Sequence, residues 1–208
     1  MFELLVEAGS QVTYQPPETV DRDEEFERVC QLYPEMRIEM DESGNIIVMP
    51  PGSLDSGFYS NKATSQLEVW AERDGTGCAF DGITIWTLPS GAKRSPDASW
   101  APKAMLRHLS REALRSVSKG RLCPPFVIEV RSPSDRLKAQ QEKCREWIRN
   151  GAQEALLVDP QKRTVYRFLP SADMETIVNA EQVDSLYLKS FTLKCAPFWK
   201  EMKDILNQ

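Results

Sequence analysis

Hydrophobic and polar positions alternate most clearly in residues 126–131, FVIEVR, which follow two prolines and precede Pro133. This alternation predicts a short, mostly buried strand. Because side chains alternate across a strand, Glu129 and Arg131 share one face. A carboxylate on an otherwise apolar strand costs several kcal/mol of desolvation unless a positive group meets it. The candidates for that group are Arg131, Lys143 or a metal ion.

The segment that follows predicts a helix. Ser134 or Asp135 can cap its N-terminus, and the helical pattern runs to about Asn150. Gly151 then supplies a left-handed stop. Lys143 lies within this helix and follows the apolar strand closely in the chain.

Helical spacing also predicts two helices in the first half of the chain. The first runs through DEEFERVCQLY and is capped by Thr19 or Asp21. The second spans about residues 56–73 and is closed by Gly75. Residues 103–120 are basic and are predicted to form a helical surface connector.

The remaining segments are predicted to be strands. MRIEMD and IIVMP read as a hairpin with a turn at residues 42–45, and CAFDG, ITIWTLP and SPDASWA follow as extended segments. ALLVDP, TVYRFLP and the segments near the C-terminus complete the set. The order of elements predicts an α+β or mixed α/β fold, in which helices flank a mixed central sheet. We expect one domain over residues 1–208, with residues 1–18 as an N-terminal arm.

Composition narrows the class of protein. The 208 residues carry a formal net charge of −5, with 41% hydrophobic and 27% charged residues, as in a soluble globular domain. An acidic balance argues mildly against tight non-specific binding of nucleic acid, but a nuclease whose acidic site is neutralised by a divalent cation remains compatible with it. No apolar run is long enough to cross a membrane, and MFELLVEAGS has acids where a signal peptide has basic residues. We therefore expect a cytoplasmic protein.

The number and spacing of the histidine and cysteine residues exclude several kinds of site. His108 is the single histidine, which excludes His-rich metal clusters and zinc deaminases, and we expect it to be a surface or loop residue. The five cysteines are scattered and contain no CxxC pair. We interpret them as reduced core residues that form neither a disulfide framework nor a zinc site.

A second acid stands out in residues 94–100, RSPDASW. The proline favours an extended entry, so that Asp97 falls at or just inside the start of a strand. Alone, an aspartate after proline is most simply a turn residue. Asp97 and Glu129 together supply the oxygen ligands that Mg²⁺ prefers, and Lys143 adds a mobile cation. An acid, a second acid and a lysine form a minimal set for metal-assisted hydrolysis of a phosphodiester.

These residues resemble a known family. Proline followed by Asp97, then Glu129 in an apolar strand and then a lysine resemble the PD-(D/E)XK nuclease superfamily. SPDASW, PPFVIEVRSPSD, QQEKCREWIRNGA and LLVDP, in this order, resemble more closely the Uma-two family of restriction endonucleases. The hairpin RIEMDESGNIIVMPPG and the helix at residues 59–70 fit that family's N-terminal half. The resemblance covers roughly residues 19–200.

The resemblance implies a restriction-endonuclease-like core that acts on DNA, depends on Mg²⁺ or Mn²⁺ and often forms a homodimer. It implies that Asp97 and Glu129 are metal ligands. The superfamily's usual lysine stands two residues after the glutamate, where this chain has Arg131, which can stabilise charge but cannot pass a proton. The resemblance implies that Lys143 replaces that lysine and that Glu39 is an additional acid that orients the attacking water.

The chain departs from the family pattern in two places. The family often has tyrosine where Trp147 stands, and bulky residues where this chain has residues 153–155. We expect neither departure to contact the proposed metal ligands, and we interpret Asp159 in LLVDP as structural. Two hypotheses remain: a Mg²⁺-dependent DNA endonuclease, or a catalytically silent protein of the same fold that binds nucleic acid or another partner.

Overall fold

The computed structural model describes residues 11–115 and 120–200. The strands are β1 (Val12–Tyr14), β2 (Arg37–Met40), β3 (Ile46–Met49), β4 (Gly77–Asp81), β5 (Trp86–Thr87), β6 (Lys93–Arg94), β7 (Ala98–Pro102), β8 (Phe126–Val130), β9 (Glu154–Asp159), β10 (Thr164–Phe168), β11 (Glu175–Val178), β12 (Gln182–Asp184) and β13 (Thr192–Lys194). The helices are α1 (Arg22–Leu32), α2 (Leu54–Asp74), α3 (Lys103–Leu106) and α4 (Leu137–Arg149), with short 3₁₀ turns at Pro160–Lys162 and Ala196–Phe198.

The chain divides into two compact units, each assembled from three separate stretches. Unit 1 comprises Met1–Gly52, Ile85–Ser95 and Leu109–Leu122. Unit 2 comprises Ser53–Thr84, Pro96–His108 and Cys123–Gln208. That residues 1–208 fold as one domain stays a prediction. Residues 1–10, most of the expected N-terminal arm, lie outside the described residues.

Unit 1 is built around an antiparallel sheet with the strand order β1-β3-β2-β6-β5. The predicted hairpin is confirmed as β2 and β3, which pair with Ile38 opposite Val48. Helix α1 begins after Asp21, whose carboxylate accepts from two backbone N–H groups of the first turn. Its apolar stripe packs on one face of the sheet to form a small core of Phe26, Val29, Ile38, Met40, Ile46 and Val48.

Unit 2 contains a mixed sheet with the strand order β11-β10-β9-β8-β7-β4. The pair β8–β9 is parallel, and the other neighbours are antiparallel. Ile128 of β8 belongs to the core formed with α2, whereas the next residue, Glu129, contacts α4. Because side chains alternate across a strand, α2 and α4 cover opposite faces of the sheet. The predicted fold class, a mixed sheet flanked by two long helices, is confirmed.

Two local predictions are wrong. In the described part of the helix expected over residues 103–120, only the four-residue α3 is helical, and residues 107–115 form turns and irregular structure; residues 116–119 lie outside the described residues. The cap of α4 is Arg136, whose side chain makes no capping bond. Asp135 accepts instead from the backbone N–H of Ser132, at 2.8 Å, and so shapes the turn that precedes the helix.

The five cysteines are free thiols: Cys123, Cys144 and Cys195 are buried, as predicted for core residues, whereas Cys30 and Cys78 are partly exposed. Burial raises the pKa of Cys123 to about 12, and it raises the pKa values of Cys30 and Cys195 to about 11. His108 is exposed in a turn, also as predicted. Among the described residues, no helix combines the length and the apolar character that a membrane span requires.

Candidate active site

Strand pairing brings Asp97 next to Glu129. Strands β7 and β8 are antiparallel, with Ala98 opposite Ile128. Continued by one residue, this register sets Asp97 opposite Glu129. The chain bends at Asp97, and its Oδ2 atom accepts from the backbone N–H of Val130 at 2.7 Å. That hydrogen bond fixes the Asp97 carboxylate beside the backbone that carries Glu129.

Helix α2 holds the backbone of Asp97 from the other side. Thr64 Oγ1 donates to the carbonyl oxygen of Asp97 at 3.0 Å, and Ser60 Oγ lies 3.5 Å from the same atom. Gly82 also packs close to this backbone, because a Cβ added there would lie 3.6 Å from the Asp97 carbonyl oxygen. Asp97 itself is half-buried.

Glu129 is buried, with 3% of its surface exposed. Two side chains of α4 meet its carboxylate. Lys143 Nζ lies 3.0 Å from Oε1 and 3.2 Å from Oε2, and Trp147 Nε1 donates to Oε1 at 2.8 Å. Lys143 and Trp147 are four residues apart, which places them on one face of the helix. Of the three partners considered for Glu129, the structure therefore places Lys143 on it.

The expectation that Trp147 would not contact a proposed metal ligand is wrong. Its indole N–H binds Glu129 directly, although the two residues are 18 positions apart. The signal in the sequence was the four-residue spacing from Lys143, which predicts that both side chains face the same strand. The other departure from the family pattern, at residues 153–155, includes Glu154, which is buried and pairs with Arg167 at 3.0 Å.

Arg131, at the superfamily's usual lysine position, binds a different acid. Its Nη1 lies 2.9 Å from Asp159 Oδ2, and its Nε donates to the carbonyl oxygen of Asp135 at 3.1 Å. Asp159 is fully buried and also accepts from the backbone N–H of Lys162 at 3.2 Å. These bonds tie β8 to the end of β9, as expected if Asp159 is structural.

Glu39 lies in unit 1, whereas the other four candidate residues lie in unit 2. Its carboxylate is buried and accepts from Arg94 Nη1 at 3.0 Å and from the backbone N–H of Ser95 at 3.2 Å. Strand β2 sets this acid on the face opposite the Ile38 and Met40 side chains, as the alternation predicted.

The chemistry of the cluster is that of two carboxylates and one ammonium. The carboxylates of Asp97 and Glu129 fit a hard divalent cation. Mg²⁺ is commonly held by one or two carboxylates and completes its shell with water and substrate oxygens. No group of three or more His, Cys, Asp or Glu side chains suited to a metal occurs in residues 11–115 and 120–200. Cys144, behind Glu129, is no competing ligand or nucleophile: burial, and then the Glu129 charge, raise the pKa of its thiol well above the ordinary value.

A family model provides the decisive comparison. The model described as "Putative restriction endonuclease", Uma2, matches residues 23–196. The chain belongs to the Uma2 family. The match includes Glu39, Asp97, Glu129, Arg131 and Lys143, so that the resemblance based on SPDASW and the later motifs is confirmed at the level of the family.

Solved structures show the same fold as this Uma2 protein. One match is the crystal structure described as "a putative nuclease belonging to DUF820" from Anabaena variabilis, with 18% sequence identity and a TM-score of 0.64. The alignment covers 78% of this chain and 89% of that chain. A comparison with curated proteins gives no match.

Proposed function

We propose that this Uma2 protein is a Mg²⁺-dependent DNA endonuclease that hydrolyses phosphodiester bonds at Asp97 and Glu129. The observation that carries the proposal is the hydrogen bond from Val130 N–H to Asp97, which holds one acid against the strand residue next to the other. Membership of a family described as restriction endonucleases supports it. When bound by these two acids, Mg²⁺ or Mn²⁺ would neutralise phosphate charge and lower the pKa of water.

The side chains around the acids have separate roles in this proposal. Lys143 supplies a mobile ammonium that can move from Glu129 to a phosphate oxygen, because its long stem is flexible. Its contact with Glu129 supports Lys143 in this role over Arg131, which is held by Asp159. Glu39 keeps the role of orienting the attacking water on the family resemblance alone. DNA is the proposed partner, with a homodimer as the proposed assembly.

A catalytically silent nucleic-acid-binding protein is the second candidate. One observation favours it: Lys143 and Trp147 already provide the buried Glu129 with a counter-charge and a hydrogen bond. A buried acid satisfied in this way needs no metal for stability. The two candidates differ in whether the carboxylates bind a cation at all.

Calorimetric titration of Mg²⁺ and Mn²⁺ separates the two candidates. We expect the unaltered protein to bind the cation, and Glu129→Gln and Asp97→Asn to lose most of that binding together with nicking of plasmid DNA. Glu154→Gln is the matched control, because Glu154 is a buried strand acid of the same unit that pairs with Arg167. Absence of metal binding by the unaltered protein, with DNA present, would reject the nuclease and leave the silent protein.

A further inference from the structure

Among the tryptophans of unit 2, Trp147 donates its indole N–H to a carboxylate, that of Glu129. Its side chain is fully buried, and its Nε1–H donates to Glu129 Oε1 at 2.8 Å. Trp70 and Trp199 donate to the backbone carbonyl oxygens of Lys189 and Ala180. Within the described chain, Trp147 is thus the indole of this unit that binds a carboxylate.

Trp100 shows that this core tolerates an indole without a hydrogen bond. It is 5% exposed, and its Nε1 has no partner among the described residues. Burial of an indole alone therefore does not explain why Trp147 is directed at an acid. The pairing instead follows from α4, which presents Trp147 and Lys143 to Glu129 from one face.

The two partners constrain the carboxylate differently. Lys143 lies at similar distances from both oxygens, 3.0 and 3.2 Å, and its ammonium sits on a flexible stem. Such a contact neutralises charge without choosing a rotation for the carboxylate, whose terminal torsion is broad. Trp147 is rigid and fully packed, and it binds Oε1. The indole N–H therefore sets which way the two oxygens of Glu129 point.

We propose that Trp147 is a positioning residue that orients Glu129 for its metal ion, an inference that rests on the proposed function. Groups that hydrogen-bond a metal ligand from behind fix its orientation, and their removal typically lowers metal affinity about 10- to 100-fold. Trp147 acts only through Glu129, so its loss weakens binding of the cation while both acids and Lys143 remain in place.

The test compares two tryptophan-to-phenylalanine substitutions in the intact protein. Trp147→Phe removes the indole N–H and retains an aromatic ring, and Trp100→Phe does the same at a site that makes no such bond. Titration with Mn²⁺ should give a Kd raised about 10- to 100-fold for Trp147→Phe and changed less than about twofold for Trp100→Phe. Thermal unfolding of each variant without metal establishes that both are folded at the titration temperature.

A second measurement follows the unaltered protein, and does not require Trp147→Phe to fold. In the unaltered protein labelled with ¹⁵N, the indole N–H signal of Trp147 should shift as Mg²⁺ is added, with the Kd found by calorimetry, whereas the Trp100 signal should stay in place. Signals are assigned from the spectra of variants at the other tryptophans.

Three results would overturn the inference, and they are distinguishable. A Trp147→Phe protein that binds Mn²⁺ as tightly as the unaltered one rejects the role of Trp147 and leaves the metal site intact. A Trp147 indole signal that stays still while Mg²⁺ binds does the same. Absence of metal binding by the unaltered protein rejects the proposed function and this inference with it.

Discussion

Lys143 stabilises a buried acid, Glu129, in unit 2. The carboxylate of Glu129 is almost completely removed from water, and without a nearby cation its desolvation would cost several kcal/mol. The side chain of Lys143 is 13% exposed, so it contacts both the acid and the solvent. The contact between Lys143 of α4 and Glu129 of β8 provides charge balance here.

Removing that cation should destabilise the fold. Lys143→Met removes the ammonium that lies 3.0 Å from the buried Glu129 carboxylate, so we expect the free energy of unfolding to fall by about 3 kcal/mol, the lower end for a broken buried pair. Urea denaturation measures the change. Lys138→Met, at an exposed position of the same helix, should change stability by less than about 0.5 kcal/mol. Nearly equal unfolding curves for the two variants would contradict this account of Glu129.

The lowered pKa of Glu25, in unit 1, predicts that stability depends on pH. The hydrogen bond from Arg28 lowers the pKa of Glu25, and one from Tyr14 lowers it further, against the opposing effect of burial. Because the folded pKa is below the unfolded value, this stabilisation is present above the unfolded pKa and is lost as pH falls through the folded pKa.

Glu25→Gln should therefore lower stability near pH 7 by about 0.5–1 kcal/mol, since Arg28 is half exposed. The difference from the unaltered protein should shrink as the pH falls below about 4.5, where Glu25 becomes protonated in the unfolded chain. Denaturation curves collected between pH 3 and pH 7 measure it. Exposed Glu24→Gln serves as the control, and a pH-independent Glu25→Gln effect would refute the pKa argument.

At the scale of elements, a glycine inside α2 and the glycine that caps it should have opposite effects on stability when replaced by alanine. Gly75 ends the helix with φ +70°, a conformation that side chains other than glycine adopt at a cost. Gly57 lies inside the helix in ordinary geometry. A Cβ added at either position meets nothing within 4 Å, so backbone conformation alone decides the outcome.

Gly75→Ala should lower the free energy of unfolding by about 1 kcal/mol, because alanine resists positive φ. Gly57→Ala should raise it by about 0.5–1 kcal/mol, because alanine favours the helix interior. Both changes are measurable by thermal or urea denaturation. Two changes of the same sign would show that α2 does not end at Gly75 in solution.

The elements that could be predicted from the sequence are those whose pattern is long enough to repeat. Helices α2 and α4 and the strand β8 followed from periodic apolar positions, with Gly75 as a visible stop. Strand β5 lies within the predicted extended segment ITIWTLP, whereas β6, Lys93–Arg94, is too short for any alternation to be seen. The expected helix after Pro102 ends at Leu106, and residues 107–115 form turns and irregular structure, a boundary that no signal in the sequence predicted.

At the scale of the whole molecule, the predictable part of the candidate site is the set of charged residues. Glu129 could be predicted because an acid in an apolar strand is unusual, whereas Asp97 and Lys143 were singled out by the order of motifs that resembles the family. The contact from Trp147 to Glu129 and the pairing of Arg131 with Asp159 could not be predicted, because each depends on how α4 and β9 pack against β8. Such tertiary packing leaves no periodic signal in a single sequence.

We propose that residues 1–208 unfold as one cooperative domain, although the chain forms two compact units. Phe26→Ala in the core of unit 1 and Phe126→Ala in the core of unit 2 should each destabilise the protein by about 3–5 kcal/mol. Both should shift the same transition in calorimetry and in far-UV circular dichroism. Two transitions, each moved by only one of the variants, would show two independent domains.

Because the two units are interleaved in the chain, they are completed at different times during synthesis on the ribosome. Unit 1 takes its last residues from Leu109–Leu122, whereas unit 2 needs Cys123–Gln208. At about 5–20 residues per second, translation of that last stretch takes roughly 4–17 s. During this interval unit 1 is complete in sequence, while Asp97 has been made but β9 and α4 are still emerging. The acidic site is therefore completed in sequence only after unit 1, when α4 with Lys143 has been translated.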